Sequence, residues 1–320
     1  MTARDPAFAG ALRARLRGEV REAELLARYS TYRIGGPATV VLPAAAEDVS
    51  VALRAAAAAG TGWFAIGLGS NILLPDEGLD ALVIRLGKGM DHLERDGERW
   101  RLGAGLPGPI AARRTAEAGH AGLHRFVGVP GTVGGGVYMN AGCHGGEWAE
   151  LVETVTVVEE SGADRVLPRA AIPFAYRQSG LGGRIVVETT VRLRPEDPRA
   201  IGAELTELFR WRSEETPFNQ PCCGSVFKNP GGASWKRAAD PRTAGQLLEA
   251  AGLKGFRIGG AQISPMHANY FVNTGGATAA DVRALIAHAR QVVRERFGIE
   301  LETEVKLIGR DGRYLVPADG

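Results

Sequence analysis

Cysteine is scarce in this 320-residue sequence, which contains only Cys143, Cys222 and Cys223. An odd number of thiols without metal-like spacing argues against a disulfide framework and against a cysteine-based zinc site. Apolar runs are also short, since none approaches the roughly 18 residues of a membrane-spanning helix. The first part of the sequence lacks the apolar segment of a signal peptide. These absences predict a cytoplasmic protein with no metal site and no membrane segment.

A large excess of charge of either sign is lacking as well. The formal net charge is +2, from 38 Lys and Arg against 36 Asp and Glu, which predicts no broad basic surface for nucleic acid. Arginine far outnumbers lysine, a bias that we attribute to genome composition. We expect a small-molecule substrate as the partner, no nucleic acid and no membrane, and a monomer or a weak oligomer.

The sequence does contain an alternation of helical and strand patterns. Leucine and valine at helical spacing predict a helix over residues 8–28. A strand after Gly36, a helix ending at Gly60 and the apolar runs WFAI and ALVIRL predict a small α/β lobe. From residue 92 onward β-branched residues are frequent, and Asp96–Gly97 marks a hairpin turn.

Helical patterns return after the prolines near residue 198. One helix ends at Gly252 and another at Gly298, and ELETEVKLIG predicts a closing strand. The predicted organisation is a helical segment over 1–28, a domain over 29–203 with lobes at about 29–91 and 92–203, an α+β domain over 204–310 and a tail over 311–320.

One glycine pattern points to a fold that other features contradict. Gly103, Gly105 and Gly108 match the G-x-G-x-x-G pattern of a Rossmann dinucleotide site. The strand before them, RWRL, belongs to the predicted hairpin rather than to a buried parallel sheet. About 20 residues further on, where a ribose-binding acid belongs, the chain reads LHRFVGVP. We therefore do not expect a Rossmann fold.

Glycine is concentrated in three other segments, namely RIGG at 33–36, GLGSN at 67–71 and PGTVGGGVYMNAGCHGGE at 130–147. The last is too rich in glycine for an ordinary helix, because glycine costs about 1 kcal/mol relative to alanine at an interior position. Glycine permits positive φ and lets backbone N–H groups approach an anion closely. Any one such loop is also what an ordinary turn requires. Three together favour a nucleotide cofactor whose diphosphate the loops surround.

These segments also carry a resemblance to a known family. YRIGGPA, GLGSNILLPDEG, VPGTVGGGVYMNAGCHGGE, AYRQS, GSVFKNP, GLKGFRIGGAQIS, HANYFVN and LETEVKLIG resemble, in this order, the UDP-N-acetylenolpyruvoylglucosamine reductases of bacterial cell-wall synthesis. The resemblance extends from about residue 29 to 310 and fits the shorter of the family's two types. It implies an α+β protein with a two-lobed FAD-binding domain of the vanillyl-alcohol-oxidase (PCMH) type, not Rossmann, and a C-terminal α+β substrate-binding domain.

The resemblance implies a flavoenzyme that binds FAD non-covalently and reduces the enolpyruvyl ether of UDP-N-acetylglucosamine to UDP-N-acetylmuramate. NADPH is the co-substrate and leaves before the sugar nucleotide binds, and hydride passes from FAD N5 to the vinyl carbon. The residues that match cofactor-binding positions are Tyr32, Arg33, Ile34, Gly35, Gly67, Gly69, Ser70, Asn71, Gly128, Pro130, Gly131, Thr132, Gly134, Gly135, Ala141, Gly142 and Gly146.

The same resemblance assigns three catalytic residues. Ser225 matches the donor that protonates the neighbouring carbon after hydride addition, and Arg177 matches the arginine that stabilises the enolate-like intermediate. Glu304 matches the glutamate that assists this stabilisation, and Glu302, on the same predicted strand face, is the competing candidate. Because a carboxylate would repel the enolate, Glu304 is expected to be protonated in that complex.

Four residues are candidates for substrate binding. Asn229 matches a substrate-binding asparagine of the family, and Lys228, Lys254 and His267 are polar residues in neighbouring motifs. A solvated lysine is the alternative for Lys228, and a structural histidine is the alternative for His267. For Lys254 the alternative is a lysine held by the dipole at a helix C-terminus.

The chain departs from the family pattern at three places. His124 stands where the family usually has a glutamate, and Cys143-His144 replaces an Ala-Tyr pair. The segment TPFNQPCC differs from the usual lead-in to GSVFKNP. Some flavoproteins of this superfamily attach FAD covalently through His or Cys, but the resemblance implies a non-covalent cofactor here.

Two other functions are compatible with parts of the pattern. The first is an FAD-dependent oxidase of the same fold that acts on another sugar or on a lactone. The second is a nucleotide-binding protein without catalytic activity. The presence of Arg177, Ser225 and Glu304 together argues against both, because neither function needs a group that protonates carbon.

Overall fold

The computed structural model describes residues 2–237 and 240–315, and residues 316–320 of the predicted tail lie outside them. The helices are α1 Pro6–Arg13, α2 Ala46–Ala59, α3 Gly108–Glu117, α4 Val133–Tyr138, α5 Trp148–Leu151, α6 Pro198–Glu215, α7 Ala244–Ala250 and α8 Ala279–Phe297. The strands up to residue 103 are β1 Glu19–Leu25, β2 Pro37–Leu42, β3 Trp63–Ile66, β4 Ile72–Leu73, β5 Leu82–Arg85, β6 Leu93–Asp96 and β7 Arg99–Gly103. The later strands are β8 His120–Ala121, β9 Gly142–Cys143, β10 Gly146–Glu147, β11 Val152–Glu159, β12 Asp164–Pro168, β13 Arg184–Arg192, β14 Arg194–Pro195, β15 Cys222–Ser225, β16 Arg257–Ile258, β17 Ala261–Ile263, β18 Tyr270–Asn273 and β19 Lys306–Leu307.

The chain folds into two compact units that do not follow the predicted boundaries. The first unit comprises the residues up to Glu24, Ala38–Leu68 and Leu79–Arg212, and the second comprises Leu25–Pro37, Gly69–Gly78 and the residues from Ser213 onward. The division near the C-terminal domain therefore lies within α6 rather than at residue 203. Two glycine-containing segments that were predicted to belong to the FAD-binding domain, 25–37 and 69–78, are part of the second unit.

The first unit contains a four-stranded sheet and a five-stranded sheet, together with the short pairs β9–β10 and β8–β14. The strands β1-β2-β5-β3 form one sheet, in which β5 runs parallel to both β2 and β3. The other sheet, β12-β11-β13-β7-β6, is antiparallel throughout. The hairpin β6–β7 turns at Gly97 with φ 60°, as predicted. Because β7 is antiparallel to its neighbours, the G-x-G-x-x-G pattern that follows it does not form a Rossmann site.

The predicted helix over residues 8–28 is wrong beyond Arg13. The chain turns at Gly18, where an added Cβ would lie 2.1 Å from the carbonyl oxygen of Leu42. The carboxylate of Asp48 accepts hydrogen bonds from the N–H groups of Arg17 and Gly18 at 3.0 and 2.9 Å. These contacts with distant residues end the helical stretch, and β1 begins at Glu19. Tertiary contacts thus override the helical spacing of the apolar residues.

The glycine-rich run contains a short helix, contrary to the expectation from glycine propensity. Helix α4 begins after Thr132, whose side chain accepts a hydrogen bond from Gly135 N at 3.3 Å. An added Cβ at Gly134 would lie 2.8 Å from the Cβ of Ala104, and one at Gly136 would lie 2.5 Å from Trp148 Nε1. The glycines let this helix pack closely against its neighbours, which offsets their low helix propensity.

The second unit is built on the antiparallel sheet β15-β18-β17-β16 and on α7 and α8. The side chain of Asp76 accepts hydrogen bonds from Ala279 N at the beginning of α8. The predicted closing strand is regular only at β19, which runs parallel to β4. Apolar residues of α7 and α8 pack on the sheet and form a core that is separate from that of the first unit.

No helix within residues 2–237 and 240–315 is both long and apolar enough to cross a membrane. In the same part of the chain, no group of three or more His, Cys, Asp or Glu residues could hold a metal ion.

The packing of α4 predicts opposite effects for two adjacent glycines. We expect Gly136→Ala to lower the free energy of unfolding by about 1–3 kcal/mol, because the new methyl group overlaps the buried Trp148 side chain. At Gly135 the nearest atom to an added Cβ is Thr132 Oγ1 at 3.6 Å, so Gly135→Ala should raise stability by up to about 1 kcal/mol. Urea denaturation of the cofactor-free proteins measures both changes. Equal effects of the two substitutions would contradict this account of the helix.

Candidate active site

In the first unit, two of the predicted glycine loops contact each other. An added Cβ at Gly67 would lie 2.4 Å from Thr132 Oγ1. Thr132 is buried and caps α4, and Gly131 O accepts a hydrogen bond from Gly108 N at 2.9 Å. The contact between Gly67 and Thr132 therefore holds two segments that are more than 60 residues apart in sequence side by side.

In the glycine-rich segment 130–147, the N–H groups around the beginning of α4 differ in whether they are paired. Four of these N–H groups already donate within the unit, namely those of Val133, Gly134, Gly135 and Gly136. The N–H groups of Gly131 and Thr132 donate to no acceptor among the described residues. Two adjacent unpaired donors beside the tightly packed Gly67 fit the negatively charged diphosphate of a dinucleotide.

Arg177 lies in a tight turn of the first unit. Ala175 and Gln178 exchange backbone hydrogen bonds of 2.9 and 3.1 Å across the intervening pair, and Arg177 has φ 58°. Its Nη2 donates to Gly142 O at 3.1 Å, and its guanidinium lies 4.9 Å from the ring centroid of Tyr176. An added Cβ at Gly142 would lie 2.8 Å from Arg177 Nη1. The structure thus brings predicted catalytic Arg177 and predicted cofactor-binding Gly142 together.

The unusual pair Cys143-His144 contacts the C-terminal half of α6. Arg212 Nη1 lies 3.7 Å from Cys143 Sγ, and Arg212 Nε donates to Gly128 O at 3.2 Å. The ring of His144 packs edge-on against Trp211 with centroids 5.3 Å apart. Burial raises the pKa of Cys143 and lowers that of His144. Both groups are therefore favoured in their neutral forms, which suits a packing contact.

His124, the other departure from the family pattern, is buried beside an acidic residue. Its Nδ1 accepts a hydrogen bond from Gly122 N at 3.0 Å, so the proton of the neutral ring is on Nε2. Glu204 Oε2 lies 3.2 Å from Nε2, but out of line for a hydrogen bond. A carboxylate thus lies next to this position although residue 124 itself is not acidic.

In the second unit, the segment from Tyr32 to Gly35 contributes mainly to packing. The side chains of Tyr32 and Ile34 are buried in the core, and burial raises the pKa of Tyr32 well above its ordinary value. Tyr32 N donates to Ser30 Oγ at 3.2 Å, and Tyr32 O accepts from Asn273 at 2.9 Å. Gly35 has φ 142°, and the Arg33 side chain is exposed. The predicted contact of this segment with a cofactor therefore depends on Arg33 and on backbone groups.

The second unit brings Ser225, Glu304 and Asn71 together. Residues 226–228 run antiparallel to residues 302–305, with Glu304 N donating to Val226 O at 2.8 Å. Asn71 Nδ2 donates to Glu304 O at 3.3 Å, and Lys306 N donates to Asn71 O at 3.0 Å. Ser70 O is the nearest atom to an added Cβ at Gly224, the residue before Ser225. Four residues that were predicted separately thus lie in adjoining strands and loops.

Asn269 fixes the backbone next to Ser225. Its side chain accepts from Phe227 N at 2.9 Å and donates to Phe227 O at 2.8 Å, and Asn269 O accepts from Val226 N at 2.8 Å. His267 Nδ1 in turn accepts from Asn269 N at 3.1 Å. This contact agrees with the structural alternative for His267, and the role of His267 in substrate binding stays a prediction.

The two glutamates near Ser225 have different surroundings. Lys228 forms an ion pair with Glu302, whose side chain is largely exposed, and Lys228 N donates to Glu302 O at 2.9 Å. Lys306 lies two residues beyond Glu304 and is partly buried, and burial together with the neighbouring charge of Lys228 lowers its pKa. The Glu302 carboxylate is thus paired with Lys228, and the catalytic role of Glu304 stays a prediction.

The remaining candidates also have contacts within the second unit. Asn229 Oδ1 accepts a hydrogen bond from Ala244 N at 3.1 Å, at the first residue of α7. Lys254 forms an ion pair with Glu249 at 2.7 Å. Their roles in substrate binding stay predictions.

Sequence reasoning did not single out Asn269 or Lys306, which lie beside the predicted catalytic residues Ser225 and Glu304. Asn269 belongs to the HANYFVN motif and Lys306 follows Glu304 in LETEVKLIG. The motifs indicate the segments, but only the folded chain shows that the Asn269 side chain bonds the backbone of Phe227 and that Lys306 is partly buried.

Each unit contains, by itself, a predicted catalytic group in defined surroundings. Arg177 provides a permanent positive charge that is oriented by a carbonyl and an aromatic ring. Ser225 lies at the end of β15 in a backbone that Asn269 and Glu304 hold. Such groups are suited to stabilising a developing carboxylate or enolate charge and to delivering a proton.

Comparison with known proteins shows which family has this arrangement. The family model of the UDP-N-acetylenolpyruvoylglucosamine reductase C-terminal domain matches residues 216–308, and that of the FAD binding domain matches residues 37–165. The chain is 44% identical over 301 residues to the UDP-N-acetylenolpyruvoylglucosamine reductase of Halalkalibacterium halodurans, covering 93% of this chain and 97% of that one. It is 41% identical over 297 residues to UDP-N-acetylenolpyruvoylglucosamine reductase 1 of Bacillus anthracis, covering 92% and 96% of the two chains.

A solved structure agrees with these relatives. The crystal structure of UDP-N-acetylenolpyruvylglucosamine reductase from Thermus caldophilus aligns with a TM-score of 0.77 and 34% identity, over 91% of this chain and 99% of that chain. The matches confirm the predicted fold class, with an FAD-binding domain that is not a Rossmann fold and a C-terminal α+β domain. They also confirm FAD as the cofactor. The chain therefore belongs to the UDP-N-acetylenolpyruvoylglucosamine reductase family and is an FAD-dependent oxidoreductase.

Proposed function

We propose that this protein reduces the enolpyruvyl ether of UDP-N-acetylglucosamine to UDP-N-acetylmuramate, with NADPH as co-substrate, in the cytoplasmic synthesis of peptidoglycan precursors. The observation that carries the proposal is the pairing of residues 226–228 with residues 302–305, which holds Ser225 next to Glu304. A group that protonates carbon is needed for reduction of a vinyl ether and has no use in an oxidase.

The cofactor is held by residues of the glycine loops. The N–H groups of Gly131 and Thr132 are the donors that we assign to the diphosphate, beside Gly67. FAD bound there would supply hydride transfer between NADPH and the vinyl carbon of the substrate. Asn71 also holds the Glu304 segment, because its Nδ2 donates to Glu304 O and its carbonyl oxygen accepts from Lys306 N.

The three predicted catalytic residues have complementary roles in the second half-reaction. Addition of hydride to the vinyl carbon drives negative charge through the adjacent carbon into the carboxylate, and the Arg177 guanidinium stabilises this charge. Ser225 then gives its hydroxyl proton to the adjacent carbon. Glu304 acts in its protonated form, since an ionised carboxylate would oppose the accumulating charge.

The purified protein allows a direct test of the whole assignment. We expect a yellow protein whose visible flavin absorption is bleached by NADPH under anaerobic conditions. Addition of the enolpyruvyl sugar nucleotide should restore the absorption rapidly, whereas oxygen should restore it slowly. Rapid reoxidation by oxygen and none by the sugar nucleotide would instead identify an oxidase of the same fold. A protein that binds no flavin would contradict both.

Substitution of Ser225 should separate the two half-reactions. In Ser225→Ala, bleaching of the flavin by NADPH should proceed at close to the parent rate, because no carbon is protonated in that step. Reoxidation by the sugar nucleotide should slow by about 100-fold or more, the contribution typical of a general acid. Stopped-flow absorbance measures both rates. Equal loss of both rates would indicate that Ser225 serves folding or cofactor binding.

Substitution of Glu304 should change the pH dependence of reoxidation. If the protonated carboxyl group is required, reoxidation in the parent protein falls as the pH rises through the ionisation of Glu304 in the complex. Glu304→Gln cannot ionise, so its slower reoxidation should lack that fall. Glu302→Gln, which removes the exposed ion pair with Lys228, is the matched control and should keep the parental profile. The assignment of Glu304 fails if its variant keeps the profile and that of Glu302 loses it.

A further inference from the structure

Asn140 is a polar residue of the first unit that the proposed reaction does not use directly. It is completely buried and lies two residues after the end of α4. Its φ of 43° is in the left-handed region, which asparagine tolerates better than most residues. A buried amide in this conformation is costly unless its hydrogen bonds are made, so its partners indicate what it holds.

The amide of Asn140 connects three segments. Its Nδ2 donates to Ala175 O at 2.9 Å and to Glu147 Oε2 at 3.0 Å, and its Oδ1 accepts from Ala149 N at 3.0 Å. Both N–H groups and the carbonyl oxygen are therefore used. Of the three partners, Ala175 is the one that leads to a catalytic residue.

Ala175 is the first residue of the turn that presents Arg177. Its carbonyl oxygen accepts from Gln178 N at 3.1 Å, across the Tyr176–Arg177 pair, and also from Asn140. The other end of the turn is tied to the same region, because Ser179 Oγ donates to Tyr138 O at 2.7 Å. The turn is thus anchored at both ends to residues at the C-terminal end of α4.

The guanidinium of Arg177 contacts the chain just beyond Asn140. Arg177 Nη2 donates to Gly142 O at 3.1 Å, and Gly142 is separated from Asn140 by one residue. Asn140 therefore holds both the backbone of the Arg177 turn, through Ala175, and the segment that carries the Gly142 carbonyl.

We propose that Asn140 is a positioning residue for Arg177, which sets the place of the guanidinium during reduction of the enolpyruvyl group. The proposal rests on the proposed function, because it takes Arg177 as the group that stabilises the intermediate. A displacement of about 1 Å at a catalytic group can reduce a rate by roughly 100-fold. A residue without substrate contact is thereby able to affect one half-reaction selectively.

Two variants remove the bond to Ala175 in different ways. Asn140→Gly removes the whole amide and keeps the positive φ accessible. In the double variant Asn140→Asp with Glu147→Gln, the glutamine can donate to the aspartate and Ala149 N keeps its acceptor, whereas the donor to Ala175 is replaced by a carboxylate oxygen that repels the Ala175 carbonyl. Both variants should slow reoxidation by the sugar nucleotide by roughly 100-fold and leave bleaching by NADPH close to the parent rate.

Combination with Arg177→Ala shows whether the effect passes through Arg177. We expect Arg177→Ala to slow reoxidation strongly, and Asn140→Gly to cause no further loss in that background. If the losses multiply in the combined variant, Asn140 acts independently of Arg177 and the positioning role is wrong. If Arg177→Ala alone leaves reoxidation unchanged while the parent protein turns over, the assignment of Arg177 is wrong. The positioning role of Asn140 is then wrong as well, because it assumes that assignment. A parent protein without turnover would overturn the proposed function itself.

A readout that does not depend on turnover is tryptic cleavage at the Arg177–Gln178 bond. Mass spectrometry of the native protein after brief trypsin treatment should show faster cleavage at this bond in Asn140→Gly, because the turn has lost an anchor. Asp48→Ala is the matched control, since Asp48 is buried in the same unit and its side chain, like that of Asn140, takes part in three hydrogen bonds. The control should unfold more easily and yet keep parental cleavage at Arg177 and parental reoxidation. Equal effects of Asp48→Ala and Asn140→Gly would show a general loss of stability and overturn the proposal.

Discussion

In both units, the predicted site residues depend on chain segments that approach each other more closely than a Cβ atom allows. At Gly67 an added Cβ would lie 2.4 Å from Thr132 Oγ1, and at Gly69 it would lie 2.1 Å from Tyr29 O. At Gly142 the same atom would lie 2.8 Å from Nη1 of Arg177. Glycine at these positions allows the segments to come into contact, because it has no Cβ atom. The surface available to the cofactor is a consequence of those contacts.

Two buried asparagine side chains hold further segments of the chain together by hydrogen bonds. Asn140 connects the Arg177 turn to α4 in the first unit, and Asn269 holds both polar backbone groups of Phe227 beside Ser225 in the second. An amide can satisfy a donor and an acceptor at the same time, and an unpaired backbone group in the interior would cost about 1–3 kcal/mol. In each unit a buried amide thus holds the backbone next to a predicted catalytic residue.

The departures from the family pattern have local physical explanations. Cys143 and His144 contact Arg212 and Trp211 of α6, and burial favours the neutral form of each. His124 takes a buried position beside the carboxylate of Glu204. In each case the side chain contacts a residue of α6. The helix is more than 50 residues away in sequence, so no local pattern indicates the contact.

The fold class, most helices and strands and the set of candidate site residues could be predicted, because periodicity, glycine caps and ordered motifs are local properties. The helix predicted over 8–28 was wrong beyond Arg13, and the glycine-rich run contains α4, because contacts with distant residues outweigh propensity there. Tyr32, predicted from its motif to bind the cofactor, has its side chain in the core of the second unit.

The sequence by itself determined the family, the cofactor class and which residue types are present for the reaction. Only the tertiary structure decided their surroundings: Glu302 is paired with Lys228, whereas Glu304 is bonded through its backbone to the Ser225 segment. The two glutamates are chemically identical and lie two residues apart, so only the resemblance to the family singles out Glu304, and the sequence does not show how their surroundings differ. Hydrogen bonds and charges contributed by residues far away in sequence make the difference.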